Sequence, residues 1–176
     1  MEIKHITVFS EDLPEIERLY KRAFPPNERK PLKNIVEDPS GVSDMIAFYD
    51  GDIFCGFAIL LDYKDISHIT YFAIEDNLRD EGYGSQALEA IKEVKKGKRI
   101  IVDIEMEKET APNNEQRKIR RKFYLRNGYK DTEVVYDWCG DTYEILCYNG
   151  TVTTEEFEQF WKGVRAKNKT LEGYWY

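Results

Sequence analysis

The run Tyr71-Phe72-Ala73-Ile74-Glu75-Asp76-Asn77-Leu78-Arg79-Asp80-Glu81-Gly82-Tyr83-Gly84-Ser85 decides how this chain is read. Its opening continues Ser67-His68-Ile69-Thr70, rich in β-branched and aromatic residues, and predicts a strand over 67–74. Arg79 and two glycines follow, and helical spacing sets in at once. Ala87, Leu88, Ile91 and Val94 share one face of a helix over 84–94, which Gly97 stops. A strand that passes through a glycine loop into a helix suits an anion. Glycine lets the backbone approach a phosphate, the unpaired N–H groups of the first helical turn point outward, and the helix dipole favours negative charge. Arg79 adds a charge-assisted contact. The same spacing also fits a helix start that merely needs flexible residues.

Working outward, 12–23 reads as a helix with Leu13, Ile16, Leu19 and Tyr20 on one face, Asp12 as N-cap and Pro25-Pro26 as stop. A weaker helical stretch covers 32–36. Strands over 44–49 and 53–63 flank Asp50-Gly51 as a hairpin. Lys92, Lys95, Lys96 and Lys98 suit the negative end of the helix over 84–94. A strand over 99–106 leads to a basic helix over 115–126, ended by Asn127-Gly128. Strands over 129–138 and 142–148 make a last hairpin around Gly140-Asp141. A helix then starts at a Thr153/Glu156 capping box and carries Phe157, Phe160, Trp161 and Val164 as an apolar stripe. Antiparallel hairpins mixed with two strand–helix–strand connections predict an α/β fold with a mixed sheet.

The 176 residues suffice for one domain, expected over 1–150, with 151–176 as a C-terminal helical extension. That extension, with Tyr174-Trp175-Tyr176, packs on the domain or at a subunit interface, which would make a homodimer. Twenty-six basic residues against 33 acidic ones leave a net charge of −7, which argues against a nucleic-acid partner. The longest apolar run, 53–61, is too short to cross a bilayer, and Met1-Glu2-Ile3-Lys4 does not open a signal peptide, so a cytoplasmic protein is expected. Three cysteines without a C-x-x-C pair and two distant histidines predict no metal site. His68, inside a strand, reads as structural.

Two families compete for the glycine loop. Gly82-x-Gly84-x-x-Ala87 with Glu105 further on matches a dinucleotide fingerprint, but that motif wants its turn directly after the strand. Arg79-x-x-Gly82-x-Gly84 at a strand-to-helix junction instead resembles the acyl-CoA pyrophosphate loop of the GNAT N-acetyltransferase superfamily. Phe72-Ala73-Ile74 matches its apolar strand triplet, and Phe123-Tyr124-Leu125-Arg126-Asn127-Gly128-Tyr129 resembles its Phe-Tyr-x-x-x-Gly-Phe helix ending. The element order agrees to about residue 148.

The resemblance implies a GNAT-like α/β fold: a mixed, mostly antiparallel central sheet with a splayed parallel strand pair, flanked by helices. It implies acetyl-CoA as cosubstrate, held along Phe72, Ala73 and Ile74 and by the loop Arg79, Asp80, Glu81, Gly82, Tyr83, Gly84 and Ser85. The activity implied is direct acetyl transfer to a primary amine. Tyr124 matches the tyrosine that faces the CoA sulfur and is assigned as general acid. Asp103 and Glu105 alternate onto one strand face, and Glu105, nearer the open end, is assigned as general base; Glu28 is a weaker candidate. Arg117 and Arg120 stand where the family often has Asn and Ala, so an amide contact to pantetheine would fall to Asn113 or Asn114. The basic face of this helix reads as solvated. The other reading kept open is a CoA-binding sensor without turnover.

Overall fold

The first strand has almost no apolar signal. In the computed structural model, which describes residues 1–171, β1 (Glu2–His5) is a polar edge strand with only Ile3 half-sheltered, so no alternation betrays it. The other elements are α1 (Leu13–Ala23), α2 (Leu32–Val36), β2 (Ser43–Asp50), β3 (Ile53–Tyr63), β4 (Ile66–Ile74), α3 (Tyr83–Val94), β5 (Arg99–Glu105), α4 (Asn114–Arg126), β6 (Lys130–Trp138), β7 (Asp141–Tyr148) and α5 (Thr154–Lys167). The strands form one seven-stranded sheet ordered β1-β2-β3-β4-β5-β7-β6, antiparallel except for β4 beside β5. This is the mixed, mostly antiparallel α/β sheet that the sequence implied. The chain divides into two compact units, Met1–Asp62 with Ile69–Lys96, and Tyr63–His68 with Gly97 onward.

In the first unit, α1 buries Ile16, Leu19 and Tyr20 and stops where Phe24, before Pro25, turns extended. Asp12 does not cap the helix with its side chain; its carboxylate instead accepts the Tyr49 hydroxyl. Tyr20, Phe24, Phe57 and Tyr71 meet edge to face or tilted, with ring centroids 4.9–6.1 Å apart. The Tyr71 hydroxyl donates to the Glu28 carbonyl at 2.6 Å. The β2–β3 register slips between Phe48 and Tyr49, so Cys55 bulges out. Beside the bulge, a Cβ on Gly56 would lie 2.2 Å from the Ala73 carbonyl, so only glycine lets β3 lie this close to the end of β4.

On α3, Ala87, Leu88 and Ile91 are fully buried, whereas Val94, at the last turn, is exposed. Lys95 does not lie free along the helix end as a dipole partner. It is buried and donates to Asp44 at 2.6 Å and Asp62 at 2.7 Å. Burial alone would lower its ammonium pKa, but the two carboxylates raise it above the ordinary lysine value.

In the second unit, β5 pairs with β7 and β7 with β6. Helix α5 starts at the expected capping box: the Thr153 amide donates to Glu156 Oε2 at 3.0 Å and the Glu156 amide to Thr153 Oγ1 at 3.2 Å, an arrangement worth about 1 kcal/mol. Its stripe Phe157, Phe160, Trp161 and Val164 is buried within this unit. Tyr63 packs flat against Gly163, where a Cβ would meet the ring. The expected interface residues Tyr174-Trp175-Tyr176 lie outside the described residues. Among the described residues no helix is long and apolar enough to cross a membrane.

Candidate active site

The loop after β4 belongs to the first unit. Phe72 is half-buried, Ala73 and Ile74 are buried, and the Glu75 amide returns to the Cys55 carbonyl at 2.9 Å. A single 3-10 turn, Asp76–Leu78, then lifts the chain off the sheet, an element that the sequence does not announce. Asp80 at φ 63° and Gly82 at φ 84° alternate with neighbours of negative φ, the kind of backbone alternation that forms anion-binding nests. The amides of Asp80, Glu81, Gly82, Tyr83 and Gly84 meet no acceptor among the described residues, while those of Ser85 and Gln86 close on the Gly82 carbonyl at 3.1 Å. Space beside Gly82 is open, with no atom within 4 Å of a Cβ built there.

The side chains of this loop face away from that role. Asp80 and Glu81 are exposed, and Tyr83 donates its hydroxyl to Asp50 at 2.9 Å. Arg79 is exposed and pairs with Asp76 at 2.7 Å. Arg18 and Arg22 hold Glu75 at 2.7 and 2.5 Å, and Arg22 also reaches Asp76 at 2.8 Å. The acids preceding the loop are therefore neutralised, and its unclaimed amides present positive dipoles to an incoming anion. A diphosphate fits these groups.

The second unit holds the two expected catalytic residues. Tyr124, near the end of α4, is buried, with its ring 5.2 Å from Phe123 and 5.3 Å from Tyr129. Its hydroxyl makes no hydrogen bond among the described residues. Burial holds the phenol well above its usual range; the Arg120 charge works against this and the Asp103 charge with it. The group stays protonated at neutral pH, a donor without an acceptor. Glu105 ends β5, but its oxygens are not open. Oε2 accepts from Arg120 at 2.6 Å, and Oε1 faces Arg117 at 3.2 Å and Asn113 at 3.3 Å.

Arg117 is the group that sequence reasoning misplaced. Far from lying on a solvated face, it is buried and donates to Asn113 at 2.9 Å, the Met106 carbonyl at 3.0 Å and Asp141 at 2.9 Å. Arg121 is likewise engaged, with Asp131 and, at 3.2 Å, Glu144. A second cluster also went unforeseen: buried His68 binds Asp103 through Nε2 at 2.7 Å, and the Tyr136 hydroxyl donates to the other Asp103 oxygen at 2.8 Å. Asp103 was visible as the face-mate of Glu105, but nothing local announces its partners. Among the described residues no cluster of acids, histidines or cysteines is arranged to hold a metal.

Comparison with known proteins places this strand, loop and helix within a family. The family model for an acetyltransferase (GNAT) domain matches residues 43–131. The chain belongs to the GNAT acetyltransferase family. Its acetyl donor is acetyl-CoA. A protein assigned to the GNAT acetyltransferases, from Bacteroides thetaiotaomicron, shares 26% identity over 99% of this chain and 98% of its own, with a TM-score of 0.74. The ribosomal-protein-S18-alanine N-acetyltransferase of Escherichia coli is similar in fold at 14% identity, covering 88% of this chain and 97% of its own, TM-score 0.61. A GNAT acetyltransferase from Elizabethkingia anophelis with acetyl-CoA bound is similar in fold at 11% identity, covering 84% and 96%, TM-score 0.57. No curated protein matches the chain in sequence. This GNAT chain therefore shares its fold with these acetyltransferases.

Proposed function

We propose that this GNAT enzyme transfers acetyl directly from acetyl-CoA to a primary amine, with the amides of Asp80 to Gly84 holding the diphosphate. The observation that carries this reading is the run of backbone amides without acceptors around left-handed Gly82. Phe72, Ala73 and Ile74 line the pantetheine arm, and a backbone N–H of this stretch meets the oxyanion of the tetrahedral intermediate. The amine nitrogen attacks the thioester carbon, the C–S bond breaks, and Tyr124 gives its hydroxyl hydrogen to the departing sulfur. Glu105 takes the proton lost by the amine, directly or through a water. An acyl-enzyme is not needed, and the buried cysteines are poor nucleophiles: burial pushes the Cys55 thiol up and that of Cys147 to about 11.

Calorimetric titration with acetyl-CoA tests the binding half and should give saturable heat; silence at millimolar ligand would end the proposal. Thiol release across a set of primary amines tests the other half. Tyr124→Phe should lose turnover by about 100-fold or more while binding CoA normally. Unchanged turnover would return Tyr124 to packing.

One observation favours a second reading. Glu105 is clasped by two guanidinium groups, as suits a structural ion pair in a CoA-binding sensor. Saturable CoA binding with no thiol release for any amine would select that reading.

A further inference from the structure

His68 is 2% exposed at its side chain and cannot itself meet a substrate, whereas the side chain of Asp103, which it binds, is 20% exposed. Each carboxylate oxygen takes one hydrogen bond, from His68 at 2.7 Å and Tyr136 at 2.8 Å, which leaves lone pairs for a further donor. Asp103 shares its strand face with Glu105, and its charge reaches the Tyr124 hydroxyl. On its other side the imidazole is enclosed by the rings of Phe157, Phe160 and Trp161, at centroid distances of 6.3, 5.8 and 5.4 Å, and its Nδ1 is buried without a partner. A protein rarely leaves a buried ring nitrogen unpaired. Here the orphan follows from fixing the other nitrogen on Asp103. The socket comes from α5, which lies beyond the residues matched by the family model.

We propose that His68 is a positioning residue for acetyl transfer and acts through Asp103, the carboxylate that receives the acceptor as an ammonium ion. The inference rests on the acetyltransferase reading above and adds an acceptor class, cationic primary amines. These arrive protonated near neutrality, so a fixed anion draws them in; the ammonium proton passes to Glu105, and the second N–H proton, freed once the C–N bond has formed, reprotonates the Tyr124 phenolate left by protonation of the sulfur. Tyr136 and His68 hold both oxygens of Asp103, so the carboxylate meets the ammonium without reorganising. The aromatic socket of α5 keeps the imidazole from turning away, which makes the C-terminal extension part of the catalytic apparatus.

Two histidines in the whole chain make the test clean. Ring nitrogen resonances of the ¹⁵N-histidine-labelled chain are recorded alone, with saturating CoA, and with n-butylamine or n-butanol added to the CoA complex. The proposal expects the His68 signals to move with n-butylamine and stay still with n-butanol, while His5 ignores both. No movement, or equal movement with the alcohol, overturns it. With acetyl-CoA and n-butylamine, His68→Leu should lose turnover on the order of 100-fold at unchanged KM for acetyl-CoA. His68→Gln, whose amide can still donate to Asp103, should regain most of it. Equal losses in both variants, or losses that follow only their melting temperatures, assign the pair to stability and leave the acetyltransferase reading standing. A chain that binds no CoA brings down both.

Discussion

As the proposed general base, Glu105 would accept a proton with Arg120 2.6 Å and Arg117 3.2 Å away. Glu105→Gln separates its two roles. A general base must be ionised to work, so the rate falls on the acid side of the pH profile. Substitution should flatten that limb and lower turnover on the order of 100-fold; an unchanged limb with a lower melting temperature would leave Glu105 as a clamp only. Asp103 makes a different statement. Burial would raise its carboxyl pKa, but the His68 charge and the His68 and Tyr136 hydrogen bonds outweigh it and hold the group below the usual range. A depressed folded pKa gives stability that is present above the unfolded value of about 4 and lost as pH falls through the folded one. Urea unfolding should therefore show the wild-type advantage over Asp103→Asn at pH 7 and its shrinkage below about pH 4. An advantage that is constant with pH would contradict this. Tyr124 could be singled out in the sequence because its neighbours Phe123 and Gly128-Tyr129 form a local motif; its role stands as a proposal. The His68–Asp103 pair was not legible, since 35 positions separate its members and only strand register joins them.

Among the elements, strong periodicity told most, capping chemistry held at Thr153 but not at Asp12, and the polar edge strand told least. Helix α3 and the stripe of α5 were plain from apolar spacing, because burial on one face demands it. Strand β1 was invisible, an edge of Glu, Ile, Lys and His that satisfies its backbone on β2 without an apolar face. Lys95 misled because helix-end lysines are usually solvated, and no local pattern places Asp44 and Asp62 beside it. Gly56 was unremarkable in sequence, yet the end of β4 passes where its side chain would be. Gly56→Ala should cost about 1–3 kcal/mol through overpacking against the Ala73 backbone and weaken acetyl-CoA binding with it. Denaturant unfolding and calorimetry on the one variant check both; a neutral substitution would mean that β4 can shift freely.

For the whole molecule, the mixed α/β sheet was legible in the alternation of hairpins and crossovers and its parallel pair in the GNAT resemblance, whereas the strand order, with β1 at its edge, was not. The acceptor was not legible, because net charge does not describe a pocket. The proposed function depends on main-chain amides of the loop holding a diphosphate. Those amides can be watched individually in a ¹⁵N-labelled chain as CoA is added. The largest resonance changes should fall on Asp80, Glu81, Gly82, Tyr83 and Gly84. CoA binding that leaves these resonances in place, or no binding at all, would contradict the account.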